Sequence, residues 1–424
     1  MFDATRDAFA RTAPGLDPSL ENAFFVGNSF FNQNWVTAPA SAEGRDGLGP
    51  TFNVASCSGC HFKDGRGRAP LSEEEPFEGL LLRFSVAGDD GHGGPRDEPN
   101  YGGQFNHRAI SSVPSEGRAV IAYTERAETL ADGTIVSLRV PSVRFVSLAF
   151  GPMAEGTMVS ARVAPSMVGL GLLEAVPEPD IAAMADPMDR DGDGISGRAN
   201  TVWNVRAQRP TLGRFGWKAN QPDLVQQTAG AFLGDIGITS SLFALENCPL
   251  NQHQCRASAS GGAPEIDDSK LDAVVLYARA LAVPGRRDVD DPSVLRGAAL
   301  FERARCVACH VPTLRTGDRA PLAILARQTI HPYTDLLVHD MGEGLADGRP
   351  DYEASGREWR TAPLWGLGLV ERVNRHTNFL HDGRARNVTE AILWHGGEAE
   401  ASAQVFRSMT AGQRQDLLAF VNSL

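Results

Sequence analysis

Residues 56–70 read SCSGCHFKDGRGRAP, and the letters CSGCH within them decide what kind of fold the chain builds. The pattern returns as CVACH at residues 306–310. A C-x-x-C-H motif can belong to a zinc site, to a redox dithiol or to the attachment point of a c-type haem. Two copies that use four of the six cysteines favour haem attachment, because that role uses every residue of the pattern.

The chemistry of haem attachment assigns a role to each residue of the motif. Each cysteine sulfur adds to one vinyl group, and the adjacent histidine ligates the iron. We therefore predict two covalent c-type haems. Their attachment and proximal residues are Cys57, Cys60 and His61 for the first, and Cys306, Cys309 and His310 for the second. A zinc site would have to join cysteines about 250 residues apart and would leave both histidines idle.

The remaining two cysteines lie in ENCPLNQHQC. Cys248 and Cys255 flank a turn and are predicted to form a short-loop disulfide, while a redox-active or metal site that uses His253 is the alternative. Covalent haems and a disulfide are typical of an oxidising compartment, so we expect a periplasmic protein. The chain opens with MFDATRDAFARTAPG, without the basic-then-apolar pattern of a secretory signal, and we expect that signal to have been removed.

Composition narrows the function further. Of the 424 residues, 42% are hydrophobic and 22% are charged, which is typical of a soluble globular protein with two domains. The net charge of −12, without clustered Lys and Arg, argues against nucleic acid as a partner. No apolar run approaches the eighteen or so residues that cross a bilayer, so no transmembrane segment is predicted.

Two segments with the spacing G-x-x-x-F, at Gly27–Phe31 and Gly297–Phe301, precede the two motifs and predict an opening helix for each of two haem domains. Between the motifs, short β-branched runs such as LLLRFSV and VSLRV alternate with polar positions. We therefore predict a mainly α fold with two cytochrome-c-like haem domains. The first domain covers residues 1–285, with a β-rich insertion at about 79–165, and the second covers residues 286–424.

Two histidines lie in FLHDGRARNVTEAILWHGGEA, at residues 379–399. Asn387 and Glu390 resemble a capping box, and a Gly-Gly pair ends the helix, so His395 is predicted in its last turn. A haem with a sixth protein ligand mainly transfers electrons, whereas an iron with an open position can do chemistry. His395 is a candidate sixth ligand of the second haem, and Met341 in HDMGEG is its main competitor.

The segments CSGCHFKDGRGRAP and FLHDGRARNVTEAILWHGGEA resemble the bacterial di-haem oxidoreductase family, whose members are described as peroxidases or as thiol-oxidoreductase-like proteins. PSMVGLGLLEAVPEPDI, GRFGWKAN and EWRTAPLWGLG extend the resemblance over nearly the whole chain. The family is part of the superfamily of bacterial di-haem cytochrome c peroxidases and methylamine dehydrogenase maturation enzymes.

The resemblance implies a ligand for the second haem. In the peroxidases, a histidine in HDG precedes the axial ligand of the C-terminal haem by fourteen residues. His381 and His395 are fourteen residues apart, so His395 takes the axial position and His381 belongs to the haem-binding residues. The peroxidases usually have methionine at that position, and a His/His iron has a lower potential than a His/Met iron. Met341 then becomes a packing residue.

The resemblance also implies a distal pocket in GRFGWKANQPDLVQQTAGAFLGDIGIT. Trp217 corresponds to a tryptophan between the haems, Gln227 to a distal glutamine, and Asp235 to a distal acid that is usually glutamate. Peroxide cleavage needs such a base to move a proton from one oxygen to the other. The first haem has no evident sixth ligand, although His92 or His107 could coordinate in a resting form. It is therefore the predicted open site.

One calcium ion is predicted, with two candidate ligand sets. DRDGDGISGRAN has carboxylates at alternate positions, as in the first half of an EF-hand loop, with Asn200 where the bidentate glutamate should be. These carboxylates belong to Asp189, Asp191 and Asp193. In the peroxidase superfamily, an asparagine and two backbone carbonyls before HDG hold a calcium between the haems. The resemblance gives these roles to Asn200, His376 and Asn378.

The sequence therefore predicts a periplasmic, peroxidase-like di-haem oxidoreductase. The first haem binds peroxide or oxygen beside Gln227 and Asp235. The second haem, between His310 and His395, relays electrons, and Trp217 couples the two. A small electron-donor protein, or a small-molecule or protein substrate, is the expected partner. Two alternatives stay open, namely an electron-transfer cytochrome with both irons six-coordinate and an oxygenase that cleaves an apolar organic substrate.

Overall fold

The structure is a computed structural model that describes residues 2–42 and 44–424. Its α-helices are short, and side chains cap several of them. Asp17 accepts a hydrogen bond from the Ser19 N–H at 2.9 Å, and Asp291 accepts one from the Ser293 N–H at 2.7 Å, each ahead of a proline at the first helical position. The α-helices are α1 Pro18–Asn32, α2 Cys57–Cys60, α3 Leu170–Glu174, α4 Glu178–Ala182, α5 Leu224–Ala231, α6 His253–Arg256, α7 Asp268–Ala280, α8 Pro292–Arg303, α9 Val370–Asn374, α10 Val388–Leu393, α11 Glu400–Ser408 and α12 Ala411–Ser423.

The strands form several small antiparallel sheets. The strands are β1 Thr51–Phe52, β2 Leu80–Asp89, β3 Pro95–Arg96, β4 Arg108–Ala109, β5 Arg118–Thr129, β6 Ile135–Val146, β7 Met158–Val163, β8 Thr201–Asn204, β9 Arg209–Leu212, β10 Leu314–Arg315, β11 Thr329–Ile330, β12 Val338–Asp340 and β13 Glu358–Arg360. Strand β2 lies between β3 and β7, and the other strands pair as β1–β4, β5–β6, β8–β9, β10–β11 and β12–β13.

The prediction of a mainly α fold with two cytochrome-c-like domains is wrong. The chain is 28% helical and 18% strand, and its small sheets occur in both halves. Strands of two or three residues, such as β10 to β13, are too short to show an alternation of polar and apolar positions. The 44 glycines and 26 prolines also break the chain into short elements. The sequence pattern revealed only the long strands.

Those long strands lie in the segment that was predicted to be β-rich. Strands β5 and β6 pair over twelve residues, from Arg118 opposite Val146 to Thr129 opposite Ile135. The turn between them includes Asp132, whose carboxylate accepts a hydrogen bond from the Thr134 N–H at 3.1 Å. Strands β2 and β7 border the region that holds the functional residues, and Arg83 and Arg162 are among the residues that line it.

The two G-x-x-x-F segments lie on helices that make the same kind of close contact. A Cβ atom on Gly27 of α1 would lie 1.9 Å from the Ala273 carbonyl oxygen of α7. A Cβ atom on Gly297 of α8 would lie 2.0 Å from the Asp416 carbonyl oxygen of α12. Glycine is required at both positions because the backbones approach too closely for any side chain. Each C-x-x-C-H motif thus follows a helix that packs tightly against a later helix.

The main apolar core includes buried residues from both parts of the chain, among them Tyr277 of α7 and Phe420 of α12. The division at residues 285 and 286 stays a prediction. Within the described residues, no helix has the length and apolar character needed to cross a membrane.

Candidate functional site

The first C-x-x-C-H motif borders a cavity of about 270 Å³, here called the His61 cavity. Helix α2 carries both cysteines and ends just before His61, so a single turn presents all three side chains to the same space. The predicted distal residues line this cavity as well. They are Trp217, Gln227 and Asp235. Residues that lie up to 178 positions apart in the sequence (Asp235 after Cys57) are therefore brought together around one cavity.

The second motif borders a cavity of about 220 Å³, here called the His310 cavity. It begins in a 3₁₀ turn, Cys306–Ala308, which follows α8 and Arg305. The lining includes the motif residues and the candidate axial residues. These are Cys306, Cys309, His310, Met341, His381 and His395. Both candidates for the sixth position, His395 and Met341, therefore reach this cavity.

Hydrogen bonds fix the two imidazoles of the His310 cavity. The Nδ1 atom of His310 lies 2.9 Å from the Tyr333 carbonyl oxygen, and the Nδ1 atom of His395 lies 2.7 Å from the Ala391 carbonyl oxygen. A carbonyl only accepts, so each Nδ1 carries the proton and each Nε2 keeps a free lone pair. Burial lowers the pKa of His310 to about 4 and also lowers the pKa of His395. Both rings are therefore neutral near pH 7, as an iron ligand must be.

The His61 ring is held differently. Its Nδ1 atom is buried and makes no hydrogen bond of good geometry among the described residues, although the Gly65 and Pro165 carbonyl oxygens lie near the ring. Burial lowers the pKa of His61 to about 4, so this imidazole is neutral as well. In the part of the chain that the structure describes, no other histidine lines the His61 cavity. His92 stacks on Trp203 with ring centroids 4.1 Å apart, and the Nδ1 atom of His107 lies 3.1 Å from the Asn53 side-chain nitrogen.

A short helix carries the polar wall of the His61 cavity. Asp223 caps α5 by accepting a hydrogen bond from the Gln226 N–H at 2.8 Å, and Gln227 follows. A π-helical turn, Phe232–Ile236, continues α5 and carries Asp235. The Gln227 side chain makes no hydrogen bond to the described residues, so its amide is free to bind a ligand in the cavity.

Sequence reasoning missed two residues beside Asp235. The Gln104 side-chain nitrogen lies 2.9 Å from the Asp235 carboxylate, and the Gln104 backbone pairs with Arg83 of β2. The Arg83 side chain lines the His61 cavity. Burial raises the pKa of Asp235, and the Arg83 charge and the Gln104 hydrogen bond offset part of that rise. The hydrogen bonds of Gln104 to Gly234 and Asp235 join positions 130 and 131 residues apart, so no local sequence motif indicates them.

One wall separates the two cavities and borders both. Its residues, here called the shared wall, are Arg66, Trp217, Arg360, Ala362, Pro363, Leu367 and Phe379. The Trp217 indole N–H donates to the Val163 carbonyl oxygen at 2.7 Å, which fixes the ring. The Arg66 guanidinium lies over that ring, 5.1 Å from its centroid. The indole predicted to couple two haems thus lies between the two cavities.

The arrangement of the four motif cysteines does not favour a zinc site that joins both motifs, although the Cys309 sulfur lies within 4.8 Å of ligand atoms of Asp335 and His339. None of the four cysteines is in a disulfide, and no cluster of metal-binding side chains within the described residues combines cysteines from both motifs. Burial raises the pKa of Cys60 and of Cys306 to about 12. Burial therefore disfavours the thiolate forms that metal binding and thiol exchange use.

A buried charged network supports the floor of the His310 cavity. His339 lies 2.8 Å from Asp335 through Nε2 and 2.7 Å from Glu398 through Nδ1. Burial lowers the pKa of His339, but hydrogen bonds to Asp335, Cys309 and Glu398 outweigh this and raise it to about 12. His381, by contrast, stacks on Trp359 at 3.6 Å between centroids. His339 was missed because Glu398 lies 59 residues away, and because Asp335, four residues earlier, is not on a helix with it.

The two calcium ligand sets differ in how well they fit. Asp189, Asp191 and Asp193 place one carboxylate oxygen each within 4.8 Å of one another. Their loop is stabilised by hydrogen bonds such as Gly194 N–H to Asp189 at 3.1 Å. Asp193 also forms an ion pair with Arg305, the residue before the second motif. Three converging carboxylates suit calcium.

In the second set, several polar atoms already make other contacts, and this ligand set stays a prediction. The Asn200 side chain donates to the Lys218 carbonyl oxygen at 2.7 Å and accepts from the Glu353 N–H at 3.0 Å. The Asn378 carbonyl oxygen accepts from Arg66 Nε at 2.8 Å, and His376 Nε2 lies 3.0 Å from the Arg66 carbonyl oxygen. The Arg66 guanidinium therefore contacts one of the two carbonyl oxygens that were predicted to bind calcium, that of Asn378.

Cys248 and Cys255 form a disulfide, with Cα atoms 5.8 Å apart. His253 lies at the start of α6, within the disulfide loop. No cluster of three metal-binding side chains among the described residues includes His253.

The structure has two cavities with one wall between them, and each cavity has a C-x-x-C-H motif and a neutral buried imidazole. This is the architecture of a di-haem protein. The chain belongs to the di-haem oxidoreductase family, since the family model described as "Di-haem oxidoreductase, putative peroxidase" matches residues 1–424. The family predicted from the sequence is thereby confirmed, and haem is the cofactor that the two cavities fit.

Among solved structures, the chain is similar to "Kuenenia stuttgartiensis Hydrazine Synthase Pressurized with 20 bar Xenon". The identity is 14%, the match covers 99% of this chain and 91% of that chain, and the TM-score is 0.38. The search of curated proteins finds no match.

Proposed function

We propose that the protein is a di-haem c-type peroxidase in which the two haems have different tasks. His61 would hold the first haem, whose iron would supply a position for peroxide. His310 and His395 would hold the second haem, which would supply a stored electron. The observation that carries this proposal is the difference between the cavities, since two carbonyl-fixed imidazoles line one and a single imidazole with Gln227, Asp235 and Arg83 lines the other.

Covalent attachment through Cys57, Cys60, Cys306 and Cys309 is part of the proposal. The four thiols are unpaired and line the cavities beside the proximal histidines. Denatured protein should therefore keep two haems by mass and by its haemochrome spectrum. Serine at both Cys57 and Cys60 should leave one covalent haem, and serine at both Cys306 and Cys309 should leave the other. Loss of all haem from the denatured natural protein would contradict c-type attachment.

The peroxide reaction takes two electrons and two protons and releases two water molecules. The iron held at His61 would supply an open coordination position and would pass on electrons. Asp235 accepts the proton of the bound peroxide and returns it to the departing oxygen. Arg83 favours the anion that develops during O–O cleavage, and the Gln227 amide orients the peroxide by hydrogen bonding. The Gln104 hydrogen bond holds the Asp235 carboxylate in place.

Trp217 is proposed to couple the two haems. It is buried, it is fixed by its hydrogen bond to Val163, and it borders both cavities. Its π system gives an electron a path across the shared wall. The two electrons for one peroxide can then come from the two haems, and a small electron-donor protein or an oxidisable organic substrate restores them.

Low-temperature EPR of the oxidised protein tests the proposal first. We expect one high-spin and one low-spin ferric signal, and loss of the high-spin signal when peroxide is added to the half-reduced protein. Two low-spin signals that peroxide leaves unchanged in every redox state would indicate an electron-transfer cytochrome instead. Consumption of oxygen, without peroxide turnover, together with cleavage of an apolar substrate would indicate an oxygenase.

A calcium ion in the Asp189–Asp193 loop is also proposed, supported by the three converging carboxylates. The loop is tied to the second haem motif through the ion pair between Asp193 and Arg305. Titration calorimetry of chelator-treated protein with Ca²⁺ should show one site, and Asp191→Asn should weaken it. Unchanged binding in Asp191→Asn would exclude this loop as the site.

Export to the periplasm is proposed because haem attachment and the Cys248–Cys255 disulfide both suit an oxidising compartment. Cell fractionation of a bacterium that expresses the full gene, with the disulfide assayed by thiol labelling, tests this. Holoprotein found in the cytoplasmic fraction with free Cys248 and Cys255 thiols would contradict it.

A further inference from the structure

Two arginines of the shared wall form no ion pair among the described residues, and each has a carboxylate only at longer range, Asp382 for Arg66 and Asp335 for Arg360. Arg66 donates from Nε to the Asn378 carbonyl oxygen at 2.8 Å and from Nη2 to the Leu380 carbonyl oxygen. Arg360 donates from Nε to the Gly216 carbonyl oxygen at 2.8 Å and from Nη1 to the Thr361 carbonyl oxygen at 3.2 Å. Neither forms an ion pair with any residue that the structure describes, although both border the two cavities.

These bonds leave part of each guanidinium unused. A guanidinium carries five N–H donors, and only two are engaged in each of the two arginines. The hydrogen bonds from the Nε atoms to backbone carbonyl oxygens fix the plane of each guanidinium group. A buried charge that lacks a directly hydrogen-bonded counter-charge is costly, and buried charges in proteins are paired. The unused N–H groups of each guanidinium lie on a cavity wall. They can bind a carboxylate with two parallel hydrogen bonds.

We propose that Arg66 and Arg360 bind the propionate carboxylates of the two haems, so that the anionic edge of each haem faces the shared wall. This inference rests on the proposed function, because it requires one haem in each cavity. Haem carries two propionates, and each arginine borders both cavities, so one guanidinium can contact carboxylates on either side. Arg66 and Arg360 are therefore positioning residues that hold both haems toward Trp217 and place fixed positive charge between them.

The charge has a consequence that can be measured. A cation beside a haem stabilises the reduced iron relative to the oxidised iron, because the oxidised iron carries one more positive charge. Removing it lowers the midpoint potential. Because the two arginines lie between the cavities, a single substitution should lower the potentials of both haems.

Spectroelectrochemical titration of the purified holoprotein tests the proposal. In Arg66→Gln and in Arg360→Gln, we expect the equilibrium constant for one-electron reduction of each haem to fall about tenfold, which is about 59 mV. The matched control is Arg139→Gln. Arg139 is also buried, donates to the Gly383 and Arg384 carbonyl oxygens at 2.7 and 3.2 Å, and stacks on Tyr123, but it borders neither cavity. Its substitution should leave both potentials unchanged.

Potentials in Arg66→Gln and Arg360→Gln that match those of Arg139→Gln would overturn the proposal. If the glutamine variants do not fold, Arg66→Lys and Arg360→Lys can be used instead, because they keep the positive charge but lose the planar guanidinium group. Resonance Raman spectra should then show shifted propionate bending modes, and unshifted modes would equally overturn it. The haem content of the natural protein distinguishes a failure of the proposed function from a failure of the role proposed for the two arginines. Fewer than two haems would contradict the proposed function, whereas two haems with unshifted potentials and modes would contradict only the role of the arginines.

Discussion

Each of the two cavities is built on its own pair of tightly packed helices. The pair is α1 and α7 for the His61 cavity, and α8 and α12 for the His310 cavity. In both, a phenylalanine from the first helix lies beside the proximal imidazole. The ring centroids of Phe31 and His61 are 6.1 Å apart, and those of Phe301 and His310 are 6.2 Å apart. The proximal halves of the two sites are therefore near copies of one another.

The opposite walls begin alike and then diverge. Helices α5 and α10 are both short, and each is capped by a side chain, Asp223 or Asn387, that accepts a hydrogen bond from the N–H three residues later. Helix α5 continues into a π-helical turn that carries Asp235, whereas α10 ends at Leu393 and is followed closely by His395. A change in how one helix ends gives one cavity an acid and the other a second imidazole.

Removing the second imidazole has the largest expected effect. His395→Ala should convert the low-spin ferric signal of the second haem entirely to high spin, because the iron loses its sixth ligand. EPR of the oxidised protein measures this directly. His381→Asn is the control, since His381 lines the same cavity but stacks on Trp359. A low-spin signal that survives in His395→Ala and disappears in His395→Ala combined with Met341→Ala would identify Met341 as a ligand instead.

Removing the acid should have the next largest effect. Asp235→Asn should lower kcat for peroxide reduction by about 10²–10⁴-fold, the usual contribution of a general base, while both haem spectra stay unchanged. Steady-state assays with a reduced artificial donor measure this. The control is Glu116→Gln, another buried carboxyl with a pKa raised by burial, to about 8, that borders neither cavity. Equal losses in both variants would assign the effect to stability.

The pH profile sharpens the assignment of Asp235. A general base must be ionised, so kcat/KM for peroxide should fall about tenfold per pH unit as the pH drops below its pKa. Burial raises the pKa of Asp235, so this acid limb should lie above the usual range of an aspartate. The limb should be absent in Asp235→Asn and present in Asp235→Glu. An unchanged limb in Asp235→Asn would show that another group titrates.

The predictability of each feature follows from how local it is in the sequence. The thiols and imidazole of each motif come from adjacent residues, and the resemblance supplied Asp235 and His395, which do line the cavities. Arg83, Gln104 and the shared-wall arginines depend on contacts between distant segments. Arg66, for example, binds a carbonyl 312 residues away. No periodicity or motif in one sequence encodes such a contact.

The error in fold class has a similar origin. Helices were predicted from the G-x-x-x-F segments and from a capping box, and the β-rich insertion from short β-branched runs that alternate with polar positions. The pairing of β5 with β6 over twelve residues is a finding of the structure. Strands β8 to β13 span only two to four residues each, which is below the length at which alternation is recognisable. They pair because folding brings their partners together, and the sequence around each of them contains no independent signal.

The shared proximal framework can be tested by stability. Gly27→Ala and Gly297→Ala should each destabilise the protein by about 3 kcal/mol, because the new methyl group would lie within 2.0 Å of a backbone carbonyl oxygen and the helices must separate. Denaturant unfolding of the holoprotein measures the loss. Gly412→Ala in α12 is the control, since no atom lies within 4 Å of its added methyl group. Very different losses at Gly27 and Gly297 would break the equivalence of the two helix pairs.

The capped distal helices give the smallest effect. Asp223→Ala and Asn387→Ala should each cost about 1 kcal/mol in the free energy of unfolding, because each removes the hydrogen bond to the first turn. Asp223→Ser and Asn387→Ser should restore most of it. The functional consequences should differ, since loosening α5 affects peroxide turnover through Gln227 while loosening α10 affects the low-spin signal through His395. If both substitutions disturbed the same haem signal, the two helices would not serve separate irons, and the contrast between the two cavities would not hold.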